Sequence, residues 1–471
     1  MNNEDICFMS ACEMAEKIKT QELTSVEITE AIIERIEKIN PIINAFCTPT
    51  FDLARDMAKK SDEAVKKGEK LGILHGIPTS IKDLMETKGI RTTFGSKIYE
   101  NYIPEEDDLT VKKLKEAGIV LLGKTNTPEE GHKSVTDNLI FGETKNPWNL
   151  ERTCGGSSGG SGAAVAAGLS PLALGSDGGG SIRTPSSLCG VYGLKPNFAR
   201  IARKFRHMAF CTLSHYGPIV RYVKDAALML DAMAGPDSID KYSFFPKDNS
   251  YINALRDRPN KLKIGYSIDL GYVKAVDKEV ENYVLNAAHR FEEFDWSVEE
   301  AKIELKNVEM PFAIIITAAM AYDYKPLMKE WRDKMTPTLV RLIDMGMNYN
   351  ALDLIRAEDQ RQKIEKTIYQ YFKNYDILIT PTTAVPAFEL GKMFPPIING
   401  KSVNPVTWHA FALPFNMSWN PAASIPCGWN SEGLPIGMHI IGRKLDEKTV
   451  LQVSQAFEEI APWQDKKPNF N

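Results

Sequence analysis

Serine and glycine residues are concentrated in two short tracts that lie close together in the chain. The first tract is Cys154-Gly155-Gly156-Ser157-Ser158-Gly159-Gly160-Ser161-Gly162, and the second is Ser176-Asp177-Gly178-Gly179-Gly180-Ser181-Ile182-Arg183. Each glycine costs backbone entropy on folding, so such clusters indicate tight turns or a close backbone approach to a ligand. We therefore expect backbone N–H groups and serine hydroxyls to converge on a reacting group.

A flexible linker is the alternative interpretation of a glycine- and serine-rich stretch. The residues between the two tracts argue against it. Residues 163–169 and 171–174 are apolar and predict a buried helix followed by a buried strand. A linker does not enclose core segments, so the two tracts are predicted to belong to a folded site.

Two well-known motifs match this region by spacing alone. Residues 118–125 fit the phosphate-loop pattern G-x-x-x-x-G-K-T, but the middle residues Ile-Val-Leu-Leu predict a strand and a helix precedes them. Residues 155–159 fit the nucleophile-elbow pattern G-x-S-x-G, but the polar residues 149–154 are not the apolar strand that an elbow requires. His409 and His439 are candidate bases for such an elbow, and nothing around either residue marks it out.

Histidine is scarce in this chain, so a hydrolase with this sequence would need a general base of another residue type. Lys82 ends a predicted strand within residues 71–81, and burial can lower the pKa of a lysine until it is neutral near pH 7. Lys82 is therefore a candidate general base. A carboxylate paired with Lys82 would keep the lysine charged, so we expect the side chain of the adjacent Asp83 to point elsewhere.

Together these motifs resemble the amidase signature family over essentially the full length of the chain. The resemblance rests on Lys82 within SIKD, on the runs CGGSSGGSGAAVAAG and SDGGGSIRTPSSLCGVYGLKP, and on the C-terminal NPAASIPCGW and GLPIGMHIIG. It implies amide hydrolysis through an acyl-enzyme and a Ser-cisSer-Lys triad. In that triad Ser181 is the nucleophile, Ser157 follows a cis peptide bond and bridges the proton transfer, and Lys82 is the base.

The same resemblance implies roles for the residues around the triad. The backbone amides of Ser181 and of three glycines are expected to form the oxyanion hole; these glycines are Gly178, Gly179 and Gly180. Ser158 is either a structural hydroxyl or a hydrogen-bond partner of Lys82, and we favour the second. Asp177 and Arg183 are expected to hold the glycine loop in place rather than touch the substrate.

The alternation of predicted helices and strands indicates an α/β fold. The resemblance implies an α/β/α sandwich around a large twisted mixed sheet, in one domain that spans residues 1–471. We divide this domain into N-terminal helices (1–60), a core with the catalytic motifs (61–235), a variable substrate-pocket region (236–373) and a completion of the core (374–471). Some aromatic and methionine side chains of the third part either line a pocket for apolar or aryl groups or pack a core: Phe312, Met320, Tyr322, Tyr324 and Trp331.

Composition narrows the class of protein further. A net charge of −4 argues against a nucleic-acid partner. Seven cysteines without a C-x-x-C pair favour neither a disulfide framework nor a zinc site, and together with an N-terminus that lacks a signal-peptide pattern they predict a cytoplasmic protein. The longest apolar segment is about half of a bilayer span, so no membrane association is expected. We expect a small-molecule amide as the partner and neither a cofactor nor a metal, and the oligomeric state stays open, with a homodimer among the alternatives.

The predicted activity is therefore that of an amidase, a hydrolase of C–N bonds in linear amides. A glutamine-hydrolysing component of an amidotransferase complex is the alternative, and a catalytically silent binding module is the third. Many members of the family have Asp-Thr-Gly-Gly-Ser at the second tract, whereas this chain has Asp-Gly-Gly-Gly-Ser at residues 177–181, which resembles a subgroup of stand-alone amidases. Aryl, fatty, amino-acid and lactam-derived amides all stay open as substrates.

Overall fold

A mixed β-sheet runs through the centre of the protein. The computed structural model describes residues 2–204, 212–244, 246 and 250–470. Within these residues the sheet has eleven strands: β1 (Phe46–Pro49), β2 (Pro78–Lys82), β3 (Val120–Thr125), β8 (Leu172–Asp177), β9 (Tyr192–Lys195), β10 (His215–Val220), β11 (Lys263–Tyr266), β12 (Ser297–Glu300), β13 (Ile377–Pro381), β16 (Ala422–Trp429) and β17 (Pro435–Gly442). Their order across the sheet is β1-β3-β2-β8-β10-β9-β16-β17-β13-β11-β12.

Helices are distributed along the chain, and many of them pack against this sheet. They are α1 (Asn3–Phe8), α2 (Ala11–Lys19), α3 (Ser25–Ile43), α4 (Phe51–Lys66), α5 (Leu109–Glu116), α6 (Gly159–Ala166), α7 (Arg183–Cys189), α8 (Val223–Met233), α9 (Tyr251–Ala254), α10 (Lys278–His289), α11 (Glu309–Tyr324), α12 (Met328–Trp331), α13 (Pro337–Met347), α14 (Ala351–Tyr371), α15 (Leu413–Met417) and α16 (Glu447–Ile460). In the described part of the chain, three two-stranded pairs lie outside the sheet: β4 (Asp137–Asn138) with β5 (Gly142–Glu143), β6 (Lys145–Asn146) with β7 (Asn149–Thr153), and β14 (Ile397–Ile398) with β15 (Lys401–Ser402). The predicted α/β fold around a large mixed sheet is confirmed.

The arrangement of β2 explains where a site can form. This strand is fully buried and pairs in parallel with β3 on one side and with β8 on the other. The carboxyl ends of parallel strands meet at one edge of a sheet, and ligands of α/β proteins bind at that edge. Lys82 is the last residue of β2, and the second glycine tract begins at the end of β8.

Most predicted elements are present, with shifted ends. The predicted strand at residues 71–81 is shorter, because β2 begins only at Pro78. A proline commonly ends a helix, yet α3 continues past Pro41 to Ile43, where the left-handed Asn44 ends it. Pro41 lies in the last turn, where the burial of Ile39 and Ile43 outweighs one lost backbone hydrogen bond.

Two of the predicted segments contain further elements. The segment 1–60, expected to be helical, also contributes β1, which pairs with β3 at the edge of the sheet. The start of the variable region, residues 236–260, contains α9, and residues 245 and 247–249 of that stretch lie outside the described part of the chain. None of the helices that the structure describes has both the length and the apolar character required to cross a bilayer.

Candidate active site

Lys82 lies in the interior at the carboxyl end of β2. Its Nζ donates hydrogen bonds to Ser157 Oγ at 2.7 Å and to Ser176 Oγ at 3.0 Å. Burial holds the pKa of Lys82 well below its usual value, and the charge of Asp177 only partly offsets this effect. Burial therefore favours the neutral amine form of this side chain, which hydroxyl groups surround.

Ser157 lies on a turn between β7 and α6. The peptide bond between Gly156 and Ser157 is cis, and the preceding Gly155 has a positive φ of 74°. A side chain at Gly156 is excluded, because a methyl group there would lie 2.9 Å from the backbone of Val135. The turn is thus shaped by two glycines, and it places the buried Ser157 hydroxyl against Lys82.

Ser158 has a different set of contacts from the expected one. Its hydroxyl donates to the carbonyl oxygen of Ser176 at 3.1 Å and accepts from the N–H of Ser176 at 3.3 Å. Its own N–H donates to the carbonyl oxygen of Ser181 at 3.1 Å. The favoured hydrogen bond between Ser158 and Lys82 is wrong, since the second partner of Lys82 is Ser176. Ser158 instead joins the two glycine tracts through the backbone.

The glycine loop that follows β8 carries Ser181. Gly180 has a φ of +114°, and its N–H donates to Asp177 Oδ1 at 2.7 Å. This contact removes Gly180 from the expected oxyanion donors, because its N–H already binds a carboxylate. Gly178, Gly179 and Ser181 keep their place as candidates. The Phe312 ring packs on Gly179 so closely that a methyl group there would lie 2.6 Å from it.

Asp177 and Arg183 form a buried ion pair below the glycine loop. Nε of Arg183 lies 2.9 Å from Asp177 Oδ2, and Nη2 lies 3.0 Å from Oδ1. Burial raises the pKa of the Asp177 carboxyl, but the charge and hydrogen bonds of Arg183 outweigh this effect and hold the pKa well below its usual value. Asn416 Nδ2 donates to the same carboxylate at 2.9 Å. The ionised carboxylate binds the loop backbone at several points.

A cavity of about 670 Å³ opens over these groups. Ser157, Ser176 and Ser181 line it, together with Gly178 and Gly179. Of the five side chains considered for a pocket, three line this cavity: Phe312, Met320 and Tyr324. The other two do not, since Tyr322 is 73% exposed and Trp331 packs against a small separate apolar cluster around Met320 and Leu339. Pocket and core packing are thus both present in this region.

The two histidines weighed as elbow bases lie apart from Ser157. His439 is buried in β17, where its Nε2 lies 3.0 Å from Nη1 of Arg183. His409 lines the cavity, and burial lowers its pKa to about 4. Residues 149–153 form β7 of a peripheral hairpin, not an apolar strand of the sheet. The structure therefore gives no support to a nucleophile elbow at residues 155–159.

The profile of the Amidase family matches residues 27–451. This chain belongs to that family. An acylamidase of Rhodococcus erythropolis is 39% identical over 477 residues, which cover 99% of this chain and 98% of the relative. A glutamyl-tRNA(Gln) amidotransferase component of Carboxydothermus hydrogenoformans is 36% identical over 493 residues, with 98% and 99% coverage. The solved structure of a bacterial aryl acylamidase of the amidase signature family has a TM-score of 0.92 at 31% identity and covers 97% of each chain. The protein is accordingly an amidase, a hydrolase of amide C–N bonds.

Neighbouring charged residues of this amidase are engaged in structural contacts. Asp83 Oδ2 accepts from the N–H and the hydroxyl of Thr93 at 3.0 and 2.6 Å, so its carboxylate points away from Lys82 as expected. Lys124, the lysine of the phosphate-loop match, lies in β3 and is buried 3.7 Å from Asp83. Its Nζ also donates to Thr87 and Thr92. This lysine is thus part of the core beside β2, and residues 120–125 are a strand rather than a phosphate loop.

Sequence reasoning missed three groups that border the amidase cavity. Ser176 was overlooked as a partner of Lys82, although it lies in the second tract and directly precedes Asp177. Gly131 and His132 were also overlooked. A methyl group at Gly131 would lie 3.2 Å from Ser157 Oγ, and His132 contacts α13. No local sequence pattern predicts a role for Gly131 or His132, because the residues that they contact lie far away in the sequence.

Proposed function

We propose that this amidase cleaves acyl amides through an acyl-enzyme on Ser181, with Ser157 and Lys82 moving the proton. The observation that carries this proposal is a buried lysine whose Nζ has two hydrogen-bond partners among the described residues, both of them hydroxyls, at 2.7 and 3.0 Å. A lysine in that setting is neutral and can accept a proton. Ser157 is almost fully buried, whereas Ser181 is partly exposed in the cavity wall, which supports Ser181 as the group that meets the substrate.

The proton path follows from the donors and acceptors of a neutral amine. Lys82 can donate an N–H to Ser176 and accept the proton of Ser157 with its lone pair. Ser157 then takes the proton of Ser181 as the Ser181 oxygen attacks the amide carbonyl carbon. On collapse of the tetrahedral intermediate, the C–N bond breaks and the same proton returns through Ser157 to the leaving nitrogen. Water repeats the sequence on the resulting ester and releases the carboxylic acid.

The oxyanion of the intermediate needs donors that are already in position. The N–H groups of Gly178, Gly179 and Ser181 belong to the loop that Asp177 holds from below. Each such donor contributes about 3–4 kcal/mol to the transition state in enzymes of this type of chemistry. The buried Asp177–Arg183 pair therefore supports catalysis by fixing the loop and not by contact with the substrate.

The shape of the cavity supports an apolar organic amide as the substrate. Phe312, Ile316, Met320 and Trp408 line it, and its volume of about 670 Å³ exceeds the needs of a small amino-acid amide. The amidotransferase relative at 36% identity keeps glutamine hydrolysis as the second candidate.

Peptide mapping after a rapid quench tests the proposal. The purified chain is mixed with a short-chain acyl anilide and with the corresponding ester, and the acyl adduct is located by mass spectrometry. We expect the adduct on Ser181, and we expect Ser181→Ala to lower amide turnover by at least ~10³-fold. Ser161→Ala is the matched control, since Ser161 lies in the first tract but bonds Thr125 away from the cavity.

Two results would count against the proposal. An adduct on Ser157, or an active Ser181→Ala variant, would remove Ser181 as the nucleophile. Hydrolysis of glutamine only after a partner protein is added, with no turnover of acyl anilides, would favour the amidotransferase alternative.

A further inference from the structure

The backbone at residues 129–132 lies directly against Ser157. Gly131 has a φ of +67°, and a methyl group at this position would lie 3.2 Å from Ser157 Oγ and 2.8 Å from a methyl carbon of Leu84. Both the conformation and the lack of space therefore favour glycine. The segment is thus the wall of the cavity on the side of Ser157, and the next residue, His132, lines the same cavity.

Both ring nitrogens of His132 are engaged. Nδ1 lies 2.6 Å from the carbonyl oxygen of Glu129, and Nε2 lies 2.7 Å from Thr338 Oγ1. A carbonyl can only accept, so Nδ1 carries the proton and Nε2 accepts from the Thr338 hydroxyl. Burial lowers the pKa of His132 to about 3, so the ring is neutral at physiological pH. It offers the cavity neither a charge nor a spare hydrogen-bonding nitrogen.

A second contact fixes the same segment to the start of α13. Glu129 Oε2 accepts from the N–H of Thr336 at 2.6 Å, and Oε1 accepts from Ser96 Oγ at 2.7 Å. Thr336 directly precedes α13, and Thr338 lies in its first turn. The position of α13, and with it the width of the cavity, is therefore tied to the wall beside Ser157.

The proposed function assigns this wall to one half of the substrate. If Ser157 returns the proton to the leaving nitrogen, that nitrogen must come within about 3 Å of Ser157 Oγ. Groups in contact with Ser157 then border the leaving amine. The glycine loop, on which Phe312 packs, borders the carbonyl oxygen instead.

Resting on that proposed function, we propose that His132 and Thr338 form the binding wall for the leaving amine and select uncharged apolar amines, aryl or alkyl. Neither His132 nor Thr338 carries a charge. The Thr338 hydroxyl binds one ring nitrogen of His132, and the carbonyl oxygen of Glu129 binds the other. Leu84, Phe94 and Tyr324 add apolar surface to the cavity. The nearest lysine in this wall, Lys133, is paired with Asp137 at 2.7 Å.

The selectivity of this wall can be measured with substrates that share one acyl group and differ in the amine, because they all yield the same acyl-enzyme. We compare butyranilide, butyramide and N-(2-aminoethyl)butyramide through kcat/KM, which reports acylation. Deacylation is measured separately from the turnover of the butyryl-enzyme formed with p-nitrophenyl butyrate. The wild type should prefer the anilide over the primary amide and discriminate against the cationic amine.

Thr338→Val tests the hydrogen bond within the wall. The valine cannot donate to His132, which leaves Nε2 unpaired at the cavity surface and lets the start of α13 shift. We expect the kcat/KM ratio of anilide to primary amide to fall about tenfold, with an unchanged deacylation rate. Thr338→Ser keeps the hydroxyl and should retain the selectivity of the wild type.

Three outcomes would overturn the inference. The first is that Thr338→Val slows deacylation as much as acylation. The second is that this variant changes the preference among anilides with different acyl groups. In both cases the wall would border the acyl group and not the leaving amine. A wild-type preference for the cationic amine also overturns it and would point to Glu130, which lines the cavity nearby. Failure of the proposed function is distinguishable, since it appears as the absence of a Ser181 adduct in the wild type.

Discussion

Replacing Asp177 by asparagine tests whether the ion pair below the glycine loop holds the site together. The Asp177 carboxylate accepts three hydrogen bonds on each oxygen. Oδ1 accepts from Gly180 N–H, Arg183 Nη2 and Asn416 Nδ2, and Oδ2 accepts from the N–H groups of Ile182 and Arg183 and from Arg183 Nε. Whichever way the asparagine amide is turned, three donors face an NH₂ group that cannot accept.

The expected loss is large because the guanidinium stays buried without its counter-charge. Both side chains of the pair are fully buried. Removal of one partner from a buried ion pair costs about 3–5 kcal/mol. This loss is a substantial part of the roughly 5–15 kcal/mol that separates folded from unfolded proteins. Asp177→Asn should therefore lower the urea midpoint and the thermal midpoint strongly, and kcat should fall because the loop around Gly180 is released.

The stabilisation that Asp177 contributes to the folded state should decrease in acid. The folded-state pKa of Asp177 is depressed, so its stabilisation is present above the unfolded pKa of about 3.9 and is lost as the pH falls towards the folded value. The difference in unfolding free energy between wild type and variant should be constant near neutral pH and narrow in acid.

Urea unfolding followed by tryptophan fluorescence, repeated across pH, measures this difference. Asp344→Asn is the matched control, because Asp344 makes a bidentate pair with Arg332 at 2.9 and 2.6 Å but on the surface. Such pairs contribute only about 0–1 kcal/mol. A loss in Asp177→Asn no larger than in the control, or a gap that does not change with pH, would refute the reasoning.

Three further substitutions probe the catalytic groups. Ser176→Ala removes one of the two hydroxyl partners of Lys82, so kcat should fall about tenfold with little change in KM. An unchanged kcat in steady-state kinetics would show that Ser176 does not position Lys82 for catalysis. Lys82→Met should abolish activity. The unfolding free energy of this variant relative to the wild type should also rise as the pH is lowered below about 10.4, because only the wild type must keep a lysine neutral on folding. A difference in unfolding free energy that does not change with pH would contradict a depressed pKa of Lys82. Gly179→Ala should displace Phe312 and lower kcat, and Phe312→Leu in the same chain should restore part of the loss; kinetics that show no rescue would place the damage elsewhere.

The fold was predictable where a segment of the sheet shows a strand pattern in its own residues. Residues 172–177 and 435–442 are apolar runs bounded by glycine or serine, and both are strands in the structure. Prediction failed where tertiary packing decides. The helix end at Ile43 instead of Pro41 depends on burial against distant residues, and β1 is a strand only because β3 lies beside it.

The candidate site was predictable where the resemblance carried it and less so where contacts decide. Lys82 and Ser157 were predicted as partners, and their side chains do meet. The roles of Ser158 and Gly180 were mispredicted, because a hydroxyl and an N–H reveal their partners only in three dimensions. Ser176 binds Lys82, and Asp177 binds the Gly180 amide. His132 was missed for the same reason, as Thr338 lies 206 positions away in the sequence.

The register of two parallel strands sets the geometry of the whole site. Ile81 of β2 lies opposite Leu174 of β8, so Lys82, one residue further on, and Ser176, two residues further on, reach the same edge of the sheet. Side chains alternate between the faces of a strand, so a slip by one residue would turn Lys82 to the opposite face. The lysine would then lose both hydroxyl partners. Both strands are buried along their whole length, so the surrounding packing opposes that slip, and the proposed proton path depends on the packing of β2 as much as on the glycine tracts.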